Sequence, residues 1–323
     1  MKNRSWFFVA LILSILLLGC YANEPEAISS VEEVEEKELT KEDKNGYQVE
    51  VVDAFGETIT LEEPETIISL FPSVTETLFA LDVGEKVIGR LDWDNYPQEV
   101  LEVESVGEME FNVEKVISLN PDLVIAHEST VTGYGEGLKQ VKEAGIHVIA
   151  VEDASSLEDT YEVIEWLAMI TNQVDKGLEL TETMQQALME INKKVSEISD
   201  EKTVWVEISP APEIYSAGAD TFIDELLQLM NAVNVANQFK GWIAFTEEEA
   251  VHFQPDIIIT TYGDYVEQSA EAILNRPGWQ DVPAVKNNQI YDVDSDTVTR
   301  SGPRLVEGAE ELAAAIYPEI FNQ

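Results

Sequence analysis

The chain has 323 residues, 63 of them acidic and 19 basic, for a formal charge of −44. So negative a chain has no basic surface with which to neutralise phosphates, which excludes nucleic acid as a partner. Its single cysteine, Cys20, excludes an internal disulfide and a thiolate metal cluster.

Met1-Lys-Asn-Arg-Ser opens the chain with two positive charges, and Trp6 to Leu18 follow without a charged residue. Those thirteen residues fall short of a bilayer span but suit the core of a signal peptide. Leu17-Leu-Gly-Cys20 then resembles the lipobox of bacterial lipoproteins, which implies a signal peptide over 1–19, lipidation of Cys20 and attachment to the cell membrane. Loss of Lys2 and Arg4 with the signal peptide would take the formal charge to −46. Between Tyr21 and Tyr47 there are nine acidic residues and three lysines with scarcely any apolar periodicity. The stretch 20–47 therefore reads as the lipidated cysteine followed by an acidic, disordered tether.

From Gln48 short apolar runs alternate with amphipathic ones. Strands are predicted over Thr66–Phe71, Lys86–Gly89, Leu123–Ala126 and His147–Val151, with helices over Ser73–Leu81, Val113–Leu119 and Gly137–Ala144. Continuous apolar strands separated by helices indicate a mostly parallel sheet covered on both faces, and 48–153 reads as one α/β lobe. Helices are then predicted over Ser156–Ile170 and Val174–Ile198; Leu178, Met184, Leu188, Ile191 and Val195 follow helical spacing in the second. The region 154–200 reads as a helical bridge. Alternation resumes in 201–323, a second α/β lobe with strands at Thr203–Ile208, 255–259 and Gln289–Val293. Its helices are predicted at Phe222–Met230, Thr246–Phe253 and Pro303–Ile316. The fold class is thus α/β, two Rossmann-like lobes bridged by a long α-helix.

The lobes echo each other. "NPDLVIA" at 120–126 returns as "QPDIIIT" at 254–260, with Glu114 and Glu248 each seven residues before the proline. Duplicated lobes leave a cleft between them. Few residues in the chain carry a catalytic signal. His127, His147 and His252 lie in separate elements without metal-ligand spacing, although His127 ends a strand at the carboxyl edge where open α/β sheets bind ligands. The glycine-rich "GYGEG" at 133–137 lacks the lysine of a P-loop, and no nucleophile elbow occurs. Aromatic residues are better placed. Trp93, Tyr96, Phe111, Tyr215, Trp242, Tyr262 and Tyr265 sit near strand or helix ends, where they would suit a large, flat or greasy ligand. Rival readings are a surface metalloenzyme built around His127, an anchored adhesion or solvating protein, and a zinc or manganese receptor. The last would need more converging ligands than three scattered histidines supply.

Five stretches carry a family resemblance in order: "IISLFPSVTETLFALDVGEKVIGRLDWDNYP", "NVEKVISLNPDLVIA", "GWIAFTEEEAVHFQPDIIIT", "AVKNNQIYDVD" and "SGPRLVEGAEELA". Together they resemble the substrate-binding lipoproteins of ATP-driven importers for cobalamin, ferric siderophores and haem. The resemblance covers essentially the whole chain after the tether. It implies an extracytoplasmic, monomeric, non-enzymatic receptor that needs no cofactor. Such a receptor captures a metal chelate in its cleft, closes only slightly, and delivers the chelate to a permease with its ATPase subunits. The implied ligand walls are Trp93, Tyr96, Phe111, Tyr215, Trp242 and Tyr262, with Arg300 as a polar contact. Family members dock to the permease through one glutamate near the tip of each lobe, and the matching positions are Glu76 and Glu225. A capping box, Ser73-x-x-Glu76, also accounts for Glu76, and Asp224 could serve in the first turn of the helix that carries Glu225. Tyr96 occupies a position that can ligate haem iron in one branch, and Trp242 matches a tryptophan of cobalamin binders. Against cobalamin, "GEME" at 107–110 stands where a cobalamin binder can carry a cleft tryptophan. The plausible cleft cations are only Arg90, Lys240 and Arg300, too few for the anionic siderophores, which places cobalamin slightly ahead of siderophore or haem.

Overall fold

The structure is a computed structural model that describes residues 46–321. Cys20, the signal peptide and nearly all of the tether lie outside the described residues.

A hairpin of β1 (Gln48–Val52) and β2 (Thr58–Glu62) precedes β3 (Ile67–Ser69), α1 (Pro72–Ala80), β4 (Val87–Gly89), α2 (Val113–Leu119), β5 (Leu123–His127), α3 (Glu128–Glu143) and β6 (His147–Val151). Strands β4-β3-β5-β6 form a parallel sheet in that order. The bridge follows as α4 (Leu157–Ile170) and α5 (Val174–Val195). The second lobe comprises β7 (Lys202–Glu207), β8 (Ile214–Ala217), α6 (Phe222–Leu229), β9 (Ala232–Asn234), β10 (Trp242–Phe245), α7 (Glu247–Ala250) and β11 (Ile257–Thr260). Then come α8 (Ser269–Leu274), α9 (Pro283–Lys286), β12 (Ile290–Asp292), α10 (Ser295–Val298), α11 (Leu305–Ile316) and α12 (Pro318–Phe321). Here the parallel order is β12-β11-β7-β9, while β8 and β10 form a separate antiparallel pair.

The unbroken apolar runs arise because each sheet is buried on both faces. Along β5, Leu123 and Ile125 join one core cluster while Val124 and Ala126 join another, as a period of two requires. In β11, Ile257 and Ile259 join the core formed by the bridge helices with α6 and α11, while Ile258 joins the cluster of Trp205 and Trp279. The bridge belongs to both lobes. Tyr161 and Ile164 of α4 pack into the second lobe's core, whereas Leu167, Ala168 and Ile170, one turn on, pack into the first. Gly177 lets α5 cross α4 closely, since a β-carbon there would overlap that of Ala168.

The echoed heptapeptide has one structural meaning in both lobes. Asn120 and Gln254 take the left-handed conformation that stops a helix. The following aspartate then ties down the start of the neighbouring strand. Asp122 Oδ2 accepts from the Thr66 amide and hydroxyl at 2.9 Å each. Asp256 Oδ2 accepts from the Thr203 amide and hydroxyl at 3.0 and 2.6 Å.

Candidate functional site

Loops at the carboxyl ends of the parallel strands carry the site candidates. In the first lobe β4 leads into Arg90–Pro97, whose turn is anchored from within. Buried Asp94 accepts from the Thr75 hydroxyl at 2.7 Å and the Leu91 amide at 3.1 Å. Burial pushes its carboxyl up to about 6, against the pull of those bonds and of the Arg300 and Arg90 charges. Trp93 and Tyr96, on either side of it, stay exposed, Trp93 by 58 %.

In the second lobe Tyr215 and Trp242 come from the β8–β10 pair. Trp242 lies opposite Ala217 and Ala244 opposite Tyr215, so both aromatics share one face and are diagonal neighbours. Trp242 is 47 % exposed, its edge resting on Phe222 at 5.7 Å between centroids. Trp93, Tyr96, Tyr215 and Trp242 are thus all exposed, as are Tyr265, Phe55 and Phe239.

Three expected ligand contacts are placed otherwise. Phe111 is 5 % exposed and belongs to the first lobe's core; its backbone bridges to Gly107 and its ring lies against Gly137 of α3. Tyr262 is 1 % exposed and donates its hydroxyl to Glu207 at 2.6 Å. Arg276 donates to the same carboxylate at 2.6 and 3.0 Å. This buried group shapes the loop after β11 from below and leaves Tyr265, not Tyr262, at the surface. Arg300 is tied up as well, within the cluster described next.

Glu76 also departs from expectation. It is 3 % exposed, makes no capping box, since α1 starts at Pro72 without a side-chain cap, and reaches across to the second lobe. It accepts from Arg304 Nη2 at 2.7 Å, Arg304 Nε at 3.0 Å and Arg300 Nη1 at 2.7 Å. Asp296 adds a second anion, 2.5 Å from Arg300, so two carboxylates and two guanidiniums balance. In this arrangement the carboxylate expected to dock is engaged by the two arginines. Glu225 is half-buried and accepts from the Leu157 amide at 2.8 Å, tying α6 to the bridge. The other acidic pair shared by the lobes behaves differently. Glu114 and Glu248 lie in the first turns of α2 and α7, and both are exposed.

The candidate cleft cations have partners, Lys240 only through an exposed pair. Arg90 donates to the carbonyls of Val100 at 3.0 Å and Leu91 at 2.7 Å, and Lys240 pairs with Asp220 at 2.7 Å. His127 is buried and stacked on Phe71, with centroids 3.8 Å apart. Its Nδ1 lies 2.8 Å from Ser129 Oγ and 3.0 Å from Asp153 Oδ1. Burial holds its pKa below the usual histidine range in spite of Asp153 and Glu128, which keeps the ring neutral at pH 7. Among the described residues no three of His, Cys, Asp and Glu converge as a metal site.

A groove of about 1040 Å³ opens beside the Glu76 cluster, lined among others by Tyr96, Pro97, Phe79, Val103, Pro303 and Arg304. Of the expected aromatic walls only Tyr96 lines it. The structure therefore groups Trp93 and Tyr96 at one place and Tyr215 and Trp242 at another, and sets Phe111 and Tyr262 apart from both. The inter-lobe ion cluster was missed from sequence. Its signal was present as two arginines four residues apart, Arg300 and Arg304, in a chain with only 19 basic residues.

Two parallel α/β sheets joined by a helical bridge, with exposed aromatics on both lobes, define a bilobed binding protein. The chain belongs to the periplasmic binding protein family, whose model matches residues 67–297. It is 42 % identical over 326 residues, all of both chains, to an uncharacterized ABC transporter substrate-binding lipoprotein, YvrC, of Bacillus subtilis. A vitamin B12-binding protein of Vibrio parahaemolyticus is 26 % identical over 79 % of this chain and 90 % of its own. Among solved structures, a possible iron-binding (periplasmic solute-binding) protein from Staphylococcus epidermidis superposes with a TM-score of 0.72 at 35 % identity, covering 79 % of this chain and all of its own.

Proposed function

We propose that the protein is the extracytoplasmic, lipid-anchored substrate-binding lipoprotein of an ATP-driven importer. It binds a metal chelate non-covalently, as a monomer and without a cofactor, and hands it to the permease. The chelate is a corrinoid of the cobalamin type. The observation that carries this choice is the pairing of exposed aromatics, Trp93 and Tyr96 on one lobe and Tyr215 and Trp242 on the other, with cleft cations that already have partners. Flat apolar faces favour a large, nearly neutral ligand. An anionic siderophore would have to displace Arg300 from Glu76 and leave that carboxylate short of a partner. The likeness to a vitamin B12-binding protein points the same way. The likeness to a possible iron-binding protein keeps a ferric siderophore or haem as the second reading, in which Tyr96 would face the iron. Lipidation at Cys20 supplies the anchor. No chemistry is performed on the ligand.

Docking falls to Glu114 and Glu248, the exposed pair at equivalent places in the two lobes, where permease cations can reach them. Glu76 and Glu225, the pair the resemblance implies, are engaged within the fold by Arg300 and by the Leu157 amide. The test is uptake of labelled cyanocobalamin by the host after deletion of the gene. Uptake is expected to fall, to return with the intact chain, and to return only in part with Glu114→Ala/Glu248→Ala, although that variant still binds ligand. Undiminished uptake in the deletion strain contradicts the corrinoid reading, and full rescue by the double variant contradicts the docking pair.

A further inference from the structure

The loop that carries Trp93 and Tyr96 is held from two sides. Asp94 fastens its middle to its own lobe through Thr75 and Leu91. The residues around Asp94 take partners from the other lobe. Arg300 Nη2 donates to the Trp93 carbonyl at 3.2 Å, and Arg300 Nη1 donates to Asn95 Oδ1 at 3.1 Å. Asn95 Nδ2 in turn donates to Asp296 Oδ2 at 2.7 Å, and the Tyr96 ring lies 4.3 Å from the Arg304 guanidinium carbon. These contacts join positions some two hundred residues apart in the chain.

The donors of Arg300 can be counted. Its two terminal nitrogens carry four N–H groups, and four protein acceptors meet them: Glu76 and Asn95 at Nη1, Asp296 and the Trp93 carbonyl at Nη2. A guanidinium so occupied has no fork left to offer a ligand. Its bonds instead hold the backbone of the aromatic loop at a set distance from the second lobe.

The geometry points to Arg300 as a positioning residue that sets the Trp93–Tyr96 wall from the opposite lobe, so that ligand affinity depends on the Glu76–Arg300–Arg304–Asp296 cluster without the Arg300 guanidinium touching ligand. This rests on the reading that Trp93 and Tyr96 contact the chelate. The coupling works in both directions. A ligand stacked on Trp93 stabilises the inter-lobe contact, and loosening that contact frees the loop.

Arg300→Met in the full chain is the direct test, because Glu76 retains both bonds from Arg304. Two quantities are read, hydrogen–deuterium exchange of the segment 91–97 in the free protein and the Kd for cyanocobalamin. Exchange is expected to rise in that segment and not in β7 or β11. The Kd is expected to rise roughly tenfold in the intact background and less than about twofold in a Trp93→Ala background, the non-additivity of residues acting as one unit. Asn95→Ala, an exposed change that leaves the ion cluster whole, is expected to show the same two effects and serves if Arg300→Met does not fold. Unchanged exchange in segment 91–97 overturns the proposal. So does an equal loss of affinity in both backgrounds, which would make Arg300 a direct contact. If the intact protein binds neither cyanocobalamin, haem nor a ferric hydroxamate, the functional reading fails, and the exchange result alone then decides whether Arg300 positions the loop.

Discussion

Asp94 is a carboxylate with one oxygen, Oδ1, buried and without a hydrogen-bond partner, beneath the loop that presents Trp93 and Tyr96. Burial raises its pKa to about 6 from 3.8, so between those values the folded state holds a proton that the unfolded state has lost. The group's contribution to stability therefore declines as pH rises from about 4 to 6 and levels off above. Asp94→Asn removes that slope and still accepts from Thr75 and Leu91. Relative to the intact protein the variant is expected to gain up to about 3 kcal/mol across this range, read as urea unfolding at a series of pH values. Parallel curves for the two proteins would contradict the assignment. Single residues were the least legible part of the sequence. Phe111 and Tyr262 have the same chemistry and loop-edge setting as Trp93 and Trp242, and only packing separates core rings from exposed ones. Ser73 and Glu76 satisfied a capping-box spacing, but Pro72 begins the helix and the glutamate takes stronger, charged partners.

At the scale of elements the sequence was more informative, because strands buried on both faces write themselves as unbroken apolar runs. β3, β5, β6, β7 and β11 all fall where such runs occur. The β1–β2 and β8–β10 pairs were not anticipated, since one face of each is exposed and the short alternations resemble loop composition. The glycine-rich 133–137 proved to lie inside α3, which bends at Tyr134. The repeated Pro-Asp entrance carries a stability prediction. Asp256→Ala removes the acceptor for the Thr203 amide and hydroxyl and should lower unfolding free energy by about 1–3 kcal/mol, measured by urea denaturation. A change within error would mean that water replaces the carboxylate without cost.

The whole molecule is organised by two things that no local pattern reveals. One is α4, whose successive turns belong to the cores of different lobes, so that bending the bridge would disturb both. This favours a small closing motion over a wide hinge. The other is the Glu76 cluster, 224 and 228 positions from its arginines, which neutralises four buried or half-buried charges in the most acidic of settings. Periodicity can place α1 and α11 but cannot show that Glu76 of the first meets Arg300 and Arg304, which precede the second. The proposed function rests on exposed aromatics on both lobes, Trp93 and Tyr96 on one and Tyr215 and Trp242 on the other. Its most direct test is calorimetric titration of the soluble chain beginning after Cys20 with cyanocobalamin. A saturable one-to-one heat is expected, with affinity weakened roughly tenfold or more by Trp242→Ala, as loss of a large aromatic contact surface implies. A flat trace with cyanocobalamin, while haem or a ferric siderophore saturates the same protein, would contradict the corrinoid assignment; flat traces with all three would contradict the receptor reading itself.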